Sequence, residues 1–169
     1  MDRPERTVRV IGLDHVYLTV SDRARAERFY DAVMGLLGFR KGDKAIAGEP
    51  HAHYFNPVMQ VTIRPARRAV PHDAYTPGLH HLCLQVASTA DVDVVAAGLA
   101  ALGVEATAPR RYPEYNPDYY ATFFADPDGL RLEVVARTPY RDDLVRHWDD
   151  FTVFLNPLAE LRARTSGGG

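Results

Sequence analysis

The sequence predicts an α+β chain: two βαβββ modules forming a cupped mixed sheet around a metal site, with a C-terminal helical extension. Three observations lead there. Leu13-Asp14-His15-Val16-Tyr17-Leu18-Thr19-Val20 lies over Leu79-His80-His81-Leu82-Cys83-Leu84-Gln85-Val86 at a constant offset of 66, and such self-similarity marks a repeated structural unit. Each stretch alternates apolar and polar residues with the period of a half-buried strand. Each is followed by a segment with helical periodicity and a glycine stop.

In the first module, residues 11–66, Val16, Leu18 and Val20 form the apolar side of the opening strand. Residues 22–36 read as a helix with Ser21 as N-cap, Ala24, Phe29, Val33 and Leu36 along the buried side, and Gly38 as the stop. Strands are expected over 43–47, 51–55 and 57–64. In the second module, residues 77–136, the helix is 89–102, capped by Ser88 or Thr89, with Val92, Val95, Leu99 and Leu102 inward and Gly103 as the stop. Its strands are expected over 104–109, 119–125 and 130–136, with Asp126-Pro127-Asp128-Gly129 as the turn before the last. Residues 137–164 form the extension: a helix from Tyr140 to Asp150 with Leu144, Trp148 and Phe151 on one side, then a break at Asn156-Pro157 and a second short helix ending at Arg164. Residues 165–169, Thr-Ser-Gly-Gly-Gly, read as a flexible tail.

Composition narrows the function classes. Twenty basic against 22 acidic residues, for a net charge of −2, provide no broad positive field to attract nucleic acid or anionic lipid, so a small molecule is the expected partner. The single cysteine, Cys83, excludes an intramolecular disulfide and a cysteine-rich zinc site. No window approaches the ~18 apolar residues of a membrane span, and the N-terminus lacks a signal-peptide apolar region. A cytoplasmic location is expected.

The repeat also places chemistry. His15 and His81 occupy equivalent positions early in the first strand of each module, and Gln60 and Glu133 correspond in the last strands. All four lie in phase opposite the aliphatic residues. A lone histidine on a strand is usually structural, but here two pairs of metal-capable groups recur together. Glu133 sits among Leu132, Val134 and Val135, and a carboxylate is almost never buried without a partner. Two imidazoles, an amide oxygen and a carboxylate suit Fe, Ni, Co, Zn or Mn in the divalent state. His80, beside His81, is expected to point to the other face and pack or hydrogen-bond elsewhere. Strand phase puts Tyr17, Thr19, Thr62, Arg64, Cys83, Gln85 and Arg131 toward the cavity. The long aromatic connection Arg110–Tyr120 offers Tyr115 and Tyr119 as further substrate contacts. Cys83 reads as a small buried hydrophobe.

LDHVYLTVSD, RFYDAVMGLLGF, GLHHLCLQV and FFADPDGLRLEVV together resemble the vicinal oxygen chelate superfamily, which includes glyoxalase I, methylmalonyl-CoA epimerase, bleomycin-resistance proteins, fosfomycin-resistance proteins and extradiol dioxygenases. The resemblance spans about residues 11–136. It implies metal ligation by His15, Gln60, His81 and Glu133, with Glu133 also the catalytic base, and homodimerisation. Glu49 is the candidate for a second, non-ligand glutamate. The implied function is glyoxalase-like isomerase or lyase chemistry through a metal-stabilised enolate on a small oxygenated substrate, which the fourth protein ligand favours. The alternatives are a non-haem Fe(II) dioxygenase using His15, His81 and Glu133, and a protein that sequesters a metabolite or antibiotic without catalysis.

Overall fold

The computed structural model describes residues 10–150. Two four-stranded mixed sheets and three α-helices make an α+β fold in which the βαβββ order occurs twice. The second helix of the extension, Phe151 and the 165–169 tail lie outside the described residues. No described helix is long and apolar enough to cross a membrane.

The chain divides into two compact units. The first holds β1 (His15–Val20), α1 (Arg23–Leu36), β2 (Arg40–Ile46), β3 (Glu49–Phe55) and β4 (Gln60–Pro65), in the sheet order β1-β4-β3-β2. β1 runs parallel to β4, with His15 opposite Gln60 and Tyr17 opposite Thr62; the other pairs are antiparallel. Leu18, Val20, Ala52, Tyr54, Val61 and Ile63 are buried together with Ala26, Tyr30, Val33 and Met34 of α1.

That helical face differs from the expected one. Ala24 is exposed, and Phe29 and Leu36 are half-buried, because Tyr30 and Met34 continue the i, i+4, i+8 row from Ala26. Asp22, rather than Ser21, is the N-cap: its side chain accepts from Arg25 N at 3.0 Å. Gly38, at φ +78°, does end the helix. β2 and β3 start earlier than expected because the hairpin turn is Ala47-Gly48, both at positive φ (52° and 80°), as a two-residue turn of this hand requires. β4 begins only at Gln60, since Asn56 Oδ1 accepts from Val58 N and Met59 N, both at 2.8 Å, and holds 57–59 in a turn.

A short segment from much later in the chain completes this unit. Asp126–Leu130 belongs to it through Tyr30, whose hydroxyl donates to Asp126 Oδ2 at 2.9 Å, and through Asp128, which accepts from the Ser21 amide (2.7 Å), the Ser21 hydroxyl and Arg25 Nη2 (2.7 Å). Ser21 is thereby withdrawn from capping. Within the segment, Asp126 Oδ1 accepts from the amides of Asp128 (2.9 Å) and Leu130 (2.8 Å), and Gly129 takes the positive φ (89°) that the expected turn demands.

The second unit contains β5 (His81–Val86), α2 (Thr89–Ala101), β6 (Arg110–Arg111), β7 (Tyr120–Ala125), β8 (Arg131–Ala136) and α3 (Thr138–Arg146), followed by a 3-10 turn at Trp148–Asp150. Its sheet repeats the pattern, β5-β8-β7-β6, with β5 parallel to β8. Ser88 caps α2 in a reciprocal box with Asp91, and Val92, Val95 and Leu99 are buried, while Leu102 is exposed. The strand expected over 104–109 shrinks to one bridge, Ala106 with Phe124, before the two-residue β6. Side chains supplement a single backbone bond there, Thr107 N to Phe123 O at 2.8 Å: Thr107 Oγ1 accepts from Phe123 N at 2.9 Å, and Thr122 Oγ1 donates to Thr107 O at 2.7 Å. α3 starts two residues earlier than expected, with Pro139 in its first turn and Asp118 Oδ2 accepting from Tyr140 N at 3.0 Å. It ends at Arg146, and none of its residues is buried; Leu144 is half-buried and Trp148 is exposed.

Candidate functional site

The repeat brings the four expected ligands together as two pairs, one in each unit. In the first, His15 and Gln60 begin β1 and β4 and stand in register across the parallel ladder. His15 is exposed; its Nδ1 lies 2.7 Å from Asp14 Oδ2 and its ring meets Tyr17 edge-on. Gln60 is held more tightly. Its Nε2 donates to Thr62 Oγ1 at 2.6 Å and contacts His53 Nδ1 at 3.1 Å, which commits the amide nitrogen and leaves Oε1 as the atom able to coordinate.

The same face continues across β3. Alternation puts Glu49, His51 and His53 on one side of that strand, with His53 opposite Thr62. His51 and His53 are buried and stacked at 5.9 Å between ring centroids. Burial, chiefly, holds His53 below an imidazole's ordinary value, favouring the neutral ring. Arg64 is ion-paired with Glu49. This engages Glu49, the expected second glutamate, and identifies a carboxylate partner for Arg64. Thr62 is fully buried, Tyr17 is 43% exposed and Thr19 is exposed.

In the second unit, His81 opens β5 and Glu133 lies in β8, with His81 Nε2 3.5 Å from Glu133 Oε2. Glu133 is only 2% exposed. The Tyr119 hydroxyl donates to its Oε1. Burial and that bond push the Tyr119 hydroxyl far above its usual range, keeping it a donor. Cys83, in register with Glu133, is pushed up to about 12 by burial and by the Glu133 charge. Its thiol is neutral, in keeping with the buried hydrophobe expected there. His80 departs from the simple alternation argument: β5 starts at His81, so His80 lies before the strand, and its Nδ1 comes within 2.8 Å of His81 Nδ1. The neighbour therefore orients His81.

The remaining expected contacts have distinct places. Gln85 is exposed at the far end of β5. Arg131 lies over the Phe123 ring at 4.2 Å. Tyr115, 51% exposed, stacks on buried Tyr112 and meets Tyr119 at 5.2 Å. Among the described residues, no three His, Cys, Asp or Glu side chains form a group that could hold a metal ion; the donors occur as the pairs above.

Residues 12–134 match the glyoxalase/bleomycin resistance protein/dioxygenase superfamily. The chain belongs to that superfamily. The chain is similar to the uncharacterized protein YqjT of Bacillus subtilis, 29% identical over 126 residues, spanning 73% of this chain and 98% of the relative. Among solved structures, the glyoxylase/bleomycin resistance protein/dioxygenase domain from Frankia sp. EAN1pec has 26% identity and a TM-score of 0.64, covering 76% of this chain and 98% of that one. A mutant of the fosfomycin resistance protein FosX from Listeria monocytogenes, complexed with Mn(II) and a dihydroxypropylphosphonic acid, shares the fold at 19% identity and a TM-score of 0.60, covering 79% and 98%.

His51, His53 and Arg137 have no role in the reading from sequence, and Arg110 enters it only as the start of the aromatic connection. The spacing His51-Ala52-His53 would have shown two imidazoles on one strand face. Arg137 continues the Arg131, Glu133, Val135 alternation by one step, a signal hidden by placing it in the C-terminal extension.

Proposed function

We propose that this protein is a divalent-metal-dependent enzyme of the glyoxalase type, carrying out isomerase or lyase chemistry on a small oxygenated substrate. The observation that carries the reading is Glu133, a carboxylate 2% exposed whose partners are two neutral groups, the Tyr119 hydroxyl and the Cys83 thiol, and a half-exposed imidazole at 3.5 Å. Removing an anion from water is unfavourable unless a cation accompanies it, and a divalent ion held by His81 and Glu133 meets that need. His15 and Gln60 are the corresponding holding pair in the first unit. The Mn(II) of FosX is consistent with an N/O donor set.

A bound divalent ion supplies Lewis-acid stabilisation of the negative charge that develops on a substrate oxygen when the adjacent carbon loses a proton. The protein's own residues do the rest. His80 fixes the His81 ring through its Nδ1 contact, Thr62 and His53 fix the Gln60 amide, and such supporting bonds orient ligands. Glu133 receives the proton at a carboxylate oxygen, and Tyr119, kept protonated by burial, steadies that carboxylate through its hydroxyl. A homodimer and a cytoplasmic location belong to the same proposal.

Elemental analysis after incubation with Mn, Fe, Co, Ni or Zn tests it. Wild-type protein should retain one of these ions, and Glu133→Gln and His81→Ala should lose it while remaining folded by circular dichroism. Retention should coincide with exchange of a carbonyl-adjacent proton into deuterated water. Iron with substrate-dependent oxygen uptake would instead support the dioxygenase reading, and absence of any retained metal would support sequestration.

A further inference from the structure

We propose that the second unit recognises an organic anion, through three guanidinium groups gathered on one ring cluster. Tyr112, Tyr119 and Phe123 are buried in mutual contact: Tyr112 meets Tyr119 at 6.4 Å and Phe123 at 5.2 Å, both edge-on. Each ring carries one arginine. Arg110 lies 3.8 Å from the Tyr112 centroid, Arg131 4.2 Å from that of Phe123 and Arg137 5.5 Å from that of Tyr119. β8 alternation places Arg131, Glu133, Val135 and Arg137 in one phase, and the register Arg110 to Ala121 to Val135 brings Arg110 onto the same face.

Stacking on buried rings distinguishes this cluster from an ordinary solvated surface. Arg23, Arg25, Arg64 and Arg146 are ion-paired with carboxylates, whereas other arginines without such a pair, Arg28, Arg40, Arg111 and Arg141 among them, are exposed. Arg110, Arg131 and Arg137 have no carboxylate partner among the described residues. Arg110 donates only to the Arg111 carbonyl, at 3.2 Å. Asp118 Oδ2 accepts from Tyr140 N while its Oδ1 is buried without a hydrogen-bond partner, and Asp143 pairs with Arg146. Arg137 Nε is buried and without a hydrogen-bond partner, leaving a charged group only partly satisfied. Stacking limits each guanidinium's freedom while leaving its in-plane N–H donors available, and this geometry suits two-point recognition of a carboxylate, phosphate or phosphonate.

The inference extends the proposed function by naming the substrate class: an acid whose anionic group is held by Arg131 and Arg137 and whose reacting oxygens lie toward Glu133. It rests on that reading only for the reaction, since anion binding needs no metal. Isothermal titration of full-length protein in EDTA, with pyruvate and benzoate against their methyl esters, tests it. At least one acid should bind, with affinity falling as salt rises, and its ester should not. Arg137→Gln and Arg131→Gln should each weaken binding about tenfold, the loss typical of one charge-assisted contact, whereas Arg146→Gln, on the exposed Asp143 pair, should not. Arg110→Gln provides a second cluster variant should one of the others fail to fold. Equal binding of acid and ester, no binding of either acid, or unchanged affinity in the folded cluster variants would overturn the proposal. Metal content measured on the same samples keeps its failure separate from failure of the metal reading.

Discussion

Tyr30→Phe removes one oxygen and leaves the ring in place, so it isolates one of the bonds that tie Asp126–Leu130 into the first unit. Tyr30 is fully buried and Asp126 is 7% exposed, and the bond between them is 2.9 Å. A buried hydrogen bond to a charged acceptor contributes roughly 1.5–3 kcal/mol. Asp126 keeps two backbone donors on its other oxygen, so the loss should be about 2 kcal/mol rather than the upper limit. For a chain of this size that lowers Tm by about 4–8 °C. The sign of the pH dependence follows. Burial raises the Asp126 carboxyl above its ordinary value, with the Tyr30 bond acting against burial; without that bond the carboxyl should rise further. The Tyr30→Phe penalty should therefore be largest near neutrality and shrink in acid as Asp126 takes up a proton. Urea denaturation of wild type, Tyr30→Phe, Asp126→Asn and the double variant measures both the penalty and the coupling. A neutral-pH penalty below about 0.5 kcal/mol, or one that does not change with pH, would refute the assignment.

Burial works against ionisation of Asp128 but is outweighed by the Ser21 and Arg25 donors, which hold the carboxyl below its ordinary value. Its contribution is therefore complete above the unfolded value and is lost as pH falls through the depressed one; Asp128→Asn should remove this share of acid destabilisation in denaturation curves across an acidic pH series. Ala47 occupies the left-handed region at φ 52°, costing roughly 1–2 kcal/mol for a residue with a Cβ; the Asn side chain offsets part of this by hydrogen-bonding locally, so Ala47→Asn should raise Tm in calorimetry. Ser88→Ala should cost about 1 kcal/mol by loss of the α2 cap, measured by urea denaturation. The Cys83 thiol, pushed up to about 12, should react with iodoacetamide at pH 8 far more slowly than in urea-unfolded protein, as followed by mass spectrometry.

The strand-helix order, both glycine stops and the 126–129 turn were legible because they depend on local periodicity and backbone angles. Boundaries moved where side chains substituted for backbone, as at Asn56, or supplemented it, as at Thr107. The buried face of α1 could not be fixed by hydrophobicity alone: Phe29 is the more apolar residue, but Tyr30 is the one with a buried partner, and that partner is 96 residues away in sequence. Repeat position matched His15 with His81 and Gln60 with Glu133; that His15 stands beside Gln60 and His81 beside Glu133 comes from strand register and packing. It could not show what holds those groups, since the bonds from His53, His80 and Tyr119 depend on cross-strand register. The arginine cluster was hidden for the same reason, as its members come from β6, β8 and the residue before α3.

The Asp126–Leu130 segment has a consequence for biosynthesis. A nascent chain that has emerged only as far as Asp73 contains every strand of the first sheet but not the carboxylates that receive Ser21, Arg25 and Tyr30. Maturation of the N-terminal unit must therefore wait until more than fifty further residues have left the ribosome, and a fragment cut at the apparent midpoint should be prone to unfolding even with its sheet intact.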